Sequence, residues 1–293
     1  MGRLPLVIVL ALLCLPLCIQ AQESNAQVRG GGSVVMEMST AVWCDICADH
    51  EEWLPAMVDS NGERLIRVNL HSSIDDPLGN EASNFRKSWL GYTDADSTPA
   101  YHFDGLREQT PSSSRGELQR SLLDAEADRM RHEILDMSIS FDSTSVFIQA
   151  TIDNPIQINS TSMTLMLLEK RASISPEDAT NGKLISNSVL KNIISVNQNE
   201  SVMYPYEWAS AEFESNSGIV SNFSFDWPDN LDSNTTEIVL IHEKSISDGE
   251  RTTLSALAWS VDEFESNQST SLWIPLIVIS FAVAAIVYST RRN

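Results

Sequence analysis

A short apolar run, VVMEM (Val34 to Met38), leads through Ser39-Thr40 into two cysteines three apart, within the stretch AVWCDICADHEEWL. Beyond Cys44 the apolar positions Ile46, Trp53, Leu54, Met57 and Val58 fit one face of a helix, with Pro55 expected to kink it. A strand that ends at this pair and continues as a helix puts Cys44 at the helix N-terminus and Cys47 one turn further in. The alternation continues downstream: ERLIRVNL reads as a strand, NEASNFRKSWLG as a helix stopped by Gly91, TPAYHFDG as a strand and RGELQRSLLDAEADRM as a closing helix. Alternating strands and helices predict an α/β unit with a mixed sheet over residues 34–133.

From Ile134 the period changes. ILDMSISF sets Leu135, Met137, Ile139 and Phe141 against Asp136, Ser138 and Ser140, the pattern of a half-buried strand. VFIQATI, SMTLMLLEK, SNFSFDW, EIVLIHEK and TLSALAWSV continue in short strands separated by Ser, Asn, Asp and Pro. Residues 134–262 are therefore expected to form an antiparallel, immunoglobulin-like β-sandwich, with Trp208, Trp227 and Trp259 in its core.

The two ends bound the compartment. Arg3 followed by an apolar run and Ala21 has the layout of a signal peptide over residues 1–21, ahead of a flexible linker at 22–33. Residues 263–271 read as a polar tether. Residues 272–290, uncharged and flanked by Trp273 and Tyr288, read as a transmembrane helix, with Arg291 and Arg292 in a cytoplasmic tail at 291–293. The expected topology is single-pass, with the bulk of the chain extracytoplasmic. That bulk carries 16 basic residues against 40 acidic ones, a formal charge near −24, which argues against nucleic acid or anionic lipid as partners. Five N-x-S/T sequons, at Asn159, Asn199, Asn222, Asn234 and Asn267, lie in the second half and are candidate glycosylation sites.

With Cys14 and Cys18 in the leader, only Cys44 and Cys47 remain. At a helix N-terminus the free N–H groups and the macrodipole favour a thiolate, so Cys44 is the candidate nucleophile and Cys47 the resolving thiol. A staple across so short a loop contributes only about 2 kcal/mol by the chain-entropy argument. Trp43-Cys44-x-x-Cys47, followed by Thr98-Pro99 in TPAYHFDG, resembles the thioredoxin superfamily over roughly Val34 to Met130. The stretches SNSVLKNII and EIVLIHEK extend the resemblance to Omp-type thioredoxin-like surface proteins, in which a β-sandwich follows. The resemblance implies a cis Pro99 facing a redox disulfide Cys44–Cys47, with Thr98 and Pro99 binding substrate and Trp43 shaping the rim. Asp45 and Ile46 between the cysteines depart from the family's usual pairs, and Asp45, Asp49, Glu51 and Glu52 oppose a nearby thiolate.

Three readings of the pair stand side by side. The first is thiol-disulfide exchange on protein thiols and disulfides, recycled by a redox partner in the membrane and needing no cofactor. A Cys44, Cys47 and His50 metal set completed by His71 or His102 is the second. In the third, a non-enzymatic surface binding or structural glycoprotein uses the fold as a scaffold. The expectation taken forward is a membrane-anchored oxidoreductase with Cys44 and Cys47 catalytic and no resident metal.

Overall fold

The computed structural model describes residues 24–71, 73–92, 98–109, 114–129, 132–142, 145–245 and 251–260. The expected signal peptide, tether, transmembrane helix and tail, and with them Asn267, lie outside the described residues. Among the described residues no helix is long and apolar enough to cross a membrane.

Fourteen strands and four helices make up these residues. In the first half they are β1 (Ser24–Gly30), β2 (Val34–Thr40), α1 (Asp45–Glu51), α2 (Leu54–Asn61), β3 (Leu65–His71), α3 (Glu81–Trp89), β4 (Ala100–Phe103), β5 (Leu106–Gln109) and α4 (Arg115–Arg129). The second half runs β6 (Leu135–Asp142), β7 (Ser145–Ile152), β8 (Thr161–Ser173), β9 (Ile185–Val196), β10 (Ser201–Tyr204), β11 (Ala209–Ser215), β12 (Ile219–Asp226), β13 (Thr236–Ser245) and β14 (Arg251–Ser260). Pro55 starts a second helix rather than kinking one, because it lacks the N–H that a continuing helix would use.

Two sheets carry the fold. One has five strands in the order β1-β6-β7-β12-β11. The other has nine, in the order β14-β13-β8-β9-β3-β2-β4-β5 with β10 paired to β9. Central strands of the larger sheet are buried on both faces: every residue of β2 and β3 and the first eight residues of β8 are buried, polar Glu37, Arg67, Asn69 and His71 included. Leu135, Ile148, Phe223, Leu165, Leu240 and Trp259 fill the space between the two sheets, with Trp208 and Trp227 packed against them. Val34, Met36, Met38, Tyr101 and Phe103 meet α1, α2 and α4 on one face of β2 and β4, while Val35, Val68 and Leu70 join Ala82 of α3, Met166, Ile193 and Val239.

This pairing corrects the expected α/β thioredoxin-like domain followed by a separate immunoglobulin-like sandwich. The outer edge of β3 does not stop a small mixed sheet: Asn69 pairs with Val189 of β9, so strands of both halves form one sheet. Helices are few and short, and the body is β-dominated. Residues 24–30, read as part of a flexible lead, are strand β1, paired residue for residue with β6 from Ser24↔Phe141 to Gly30↔Leu135. Their alternation of small or apolar Ala26 and Val28 with exposed Asn25, Gln27 and Arg29 is the strand signal.

Buried charge fastens the join. Arg86 of α3 donates from Nε to Glu37 Oε1 at 2.5 Å and from Nη2 to Glu37 Oε2 at 3.1 Å. Its Nη1 donates to both oxygens of Glu243 at 3.1 Å, and Thr164 Oγ1 donates to Glu243 Oε1 at 2.5 Å. Arg67 of β3 bonds Glu51 of α1, and Glu51 also accepts from Asn187 of β9 at 3.0 Å. Arg129 of α4 reaches Asp104 at 2.5 Å and the Gly31 carbonyl at 3.2 Å. None of these pairings is visible in residue spacing, since each joins groups far apart along the chain.

Candidate functional site

The cysteine pair lies where β2 turns into α1. Cys44 is the N-cap, in extended conformation, and its sulfur accepts from the Cys47 N–H at 3.1 Å. The two cysteines are joined as a disulfide. Thr98–Pro99 is a cis peptide bond, and the Thr98 carbonyl oxygen lies 3.6 Å from Cys44 Sγ, which places Thr98 beside the pair. Trp43 stands beside it, 45 % exposed, its indole donating to the Ile74 carbonyl at 2.9 Å. With Ile46 and Ile74, also exposed, it forms an apolar rim.

The disulfide itself is closed off. Cys44 retains 6 % of its exposure and Cys47 2 %. A strap from the other half, residues 174–184 between β8 and β9, binds the turn. Asn181 donates through its backbone N–H to the Val42 carbonyl at 3.1 Å. Its side chain donates to the carbonyls of Ala41 at 3.4 Å and Cys44 at 3.3 Å. Val42 packs under the strap with Leu78, Ile174, Ala179 and Val189. Sequence reasoning missed the strap because Asn181 lies over a hundred residues from its partners.

The metal alternative is not assembled either. His50 shares a 2.6 Å hydrogen bond with the Tyr101 hydroxyl, His71 bonds Asp76 and Ser186, and His102 bonds the Tyr92 hydroxyl at 3.0 Å. Both sulfurs are spent in the disulfide. Burial lowers the His50 pKa against the pull of Asp49 and Glu51, and burial pushes the Tyr101 phenol up.

A second surface is open. On the five-stranded sheet, residues that do not face the core line up in cross-strand rows. One row reads Asn25, Ser140, Phe147, Ser224 and Ser210; the next reads Gln27, Ser138, Gln149, Asn222 and Glu212. These side chains line a shallow concavity of about 1040 Å³. Phe147 is 45 % exposed at its centre, although its neighbours Val146 and Ile148 are buried in the core. Gln149 Nε2 donates to Asn222 Oδ1 at 3.1 Å. The signal for this site was Phe147, an apolar residue on the polar parity of SVFIQATI.

The sequons divide by position. Asn159, Asn199 and Asn234 are exposed between strands, and Asn222 is on β12 facing the concavity.

No protein family's sequence profile matches the chain, and no curated protein does. Among solved structures, the fold is similar to HBP35 of Porphyromonas gingivalis, with a TM-score of 0.63 and 12 % identity over 80 % of this chain and 76 % of that one. Family 9 carbohydrate binding modules from Caldicellulosiruptor kristjanssonii, in complex with cellotriose and with glucose, align at a TM-score of only 0.28 over 42 % of this chain, with 11 % and 13 % identity and 64 % and 65 % of their own length covered. So low a score carries no argument. The expected thiol-disulfide oxidoreductase, with protein thiols and a membrane redox partner, is corrected by these findings. Exchange needs an attacking thiolate to reach a sulfur, and here both cysteines are buried, packed with Met38, Leu54 and Tyr101 within a β-dominated body. What the solved structures establish is a shared fold with HBP35.

Proposed function

We propose that the chain is a non-enzymatic binding protein acting outside the cytoplasm, and that the open face of its five-stranded sheet is the ligand surface. The observation that carries this is Phe147, an aromatic ring left exposed at the centre of a polar concavity on an otherwise alternating sheet. In this reading the disulfide braces the turn after β2 and suits an oxidising compartment. Exposed Asn159, Asn199 and Asn234 are its accessible sequons and lie off the ligand surface.

Retention of the full chain on insoluble cell-envelope material tests the proposal. Phe147→Ala is expected to abolish retention while Cys44→Ala/Cys47→Ala preserves it. Unchanged retention by Phe147→Ala sinks the assignment of the face.

A further inference from the structure

Resting on that reading of the sheet face, we infer that its ligand is an uncharged polysaccharide, with Phe147 as the stacking platform and the Gln149–Asn222 pair as the hydroxyl reader.

Charge decides the class first. The chain has a formal net charge of −21, yet the polar groups lining the concavity are amides, hydroxyls and one carboxylate, Glu212, set among apolar residues such as Phe147 and Ala211, with no basic residue. An anionic ligand would find no counter-charge there and would be repelled by the surrounding protein. A cationic ligand would have many more acidic places to go. The face is instead built for uncharged hydrogen-bonding groups.

Shape and donor pattern narrow it further. Phe147 is flanked across the strands by Ser140 and Ser224, both small, so no bulky neighbour on those strands walls off the ring. A ring of this kind packs against the C–H face of a sugar, burying apolar area without demanding a counter-charge. One row along, the Gln149–Asn222 hydrogen bond uses Gln149 Nε2 and Asn222 Oδ1. It leaves Gln149 Oε1 as an acceptor and Asn222 Nδ2 as a donor, the complement of a hydroxyl, which both donates and accepts. The amides hold each other in place, so little side-chain entropy remains to be lost on binding. Five strands at 4.7–4.9 Å spacing span about 20 Å, room for an extended chain rather than one sugar.

The test uses the full chain, produced in a host that does not N-glycosylate so that Asn222 is bare. Its retention on cellulose, chitin and dextran beads is measured against retention on heparin beads, beside the cell-envelope assay. Retention on at least one neutral polymer is expected, insensitive to salt, and weakened at least tenfold by Phe147→Ala and by Gln149→Ala. Thermal unfolding of both variants should match that of the parent, because both side chains are exposed. Binding to heparin alone, or to neutral polymer with no loss in Phe147→Ala, overturns the inference. If no neutral polymer is retained but Phe147→Ala still loses envelope material, the polysaccharide class fails and the ligand face stands. If Phe147→Ala keeps envelope material, the face itself fails.

Discussion

Arg86→Met probes the join between the two halves of the chain. The wild-type guanidinium is 1 % exposed, lies 3.6 Å from the centroid of the Trp89 ring and serves two buried carboxylates, Glu37 on β2 and Glu243 on β13. Methionine keeps the apolar stem but leaves both carboxylates without their cation. Burial already lifts the Glu243 pKa, with Arg86 the main opposing pull. In the variant Glu243 therefore takes up a proton at neutral pH rather than stay charged. Protonating a carboxyl of ordinary pKa 4.5 at pH 7 costs about 3.4 kcal/mol, at 1.36 kcal/mol per pH unit. The lost cation–π contact adds about 1 kcal/mol, and not having to bury a guanidinium offsets part of both. The expected destabilisation at pH 7 is about 3–5 kcal/mol, or a Tm lower by roughly 10 °C for a body of this size.

The pH dependence gives the sharper check. In the variant, folded Glu243 binds its proton at higher pH than the unfolded chain does, so lowering the pH favours the folded state. At pH 5 the protonation cost falls to about 0.7 kcal/mol, and the gap between variant and parent should shrink by up to about 2.7 kcal/mol, less what the parent gains from its own raised Glu243. Urea unfolding at pH 7 and pH 5, followed by tryptophan fluorescence, reads both values. A gap below about 1 kcal/mol at pH 7, or the same gap at both pH values, refutes the reasoning.

Three further outcomes follow from the structure. Cys44→Ala/Cys47→Ala should lose about 2 kcal/mol in urea unfolding, the entropy of a four-residue loop, and Asn181→Ala should speed reduction of the intact disulfide by dithiothreitol as the strap loosens. Lys87, whose pKa burial lowers to about 8 against the pull of Asp76, disfavours folding while it is charged. That penalty is full below pH 8 and is relieved between pH 8 and 10.5, so Lys87→Met should be the more stable by about 1–2 kcal/mol at pH 7 and converge with the parent near pH 10 by thermal unfolding. Gly31, at φ +122°, has the Glu133 carbonyl 2.2 Å and Ser255 Oγ 2.4 Å from where a Cβ would stand; Gly31→Ala should cost about 3 kcal/mol in the same assay.

Local structure was largely legible in the chain. The runs at Val34–Thr40 and Leu65–His71, and the alternation from Leu135, form strands where period and composition indicate them. The helix over Glu81–Trp89 ends before Gly91, which adopts a positive φ. Cys44 and Cys47 are joined as a disulfide, with the Thr98 carbonyl beside Cys44. Their chemical role was not legible, because it turns on exposure. Asn181, brought in from a distant loop, is what closes the turn. The edge of β3 was equally silent: an edge strand and an internal strand differ by a partner, not by their own residues.

The sequence by itself determined most of the strands and helices, though not β1, that Cys44 starts a helix with Cys47 one turn in, and that the chain is strongly acidic, because these depend on composition and on neighbours within a few residues. Tertiary structure alone decided that β3 and β9 join both halves into one sheet, that the disulfide is buried, and that Phe147 is left on an open polar face. Those depend on contacts between residues tens to more than a hundred positions apart. Local propensity carries no record of such contacts, and burial resolves them only once the whole core has formed.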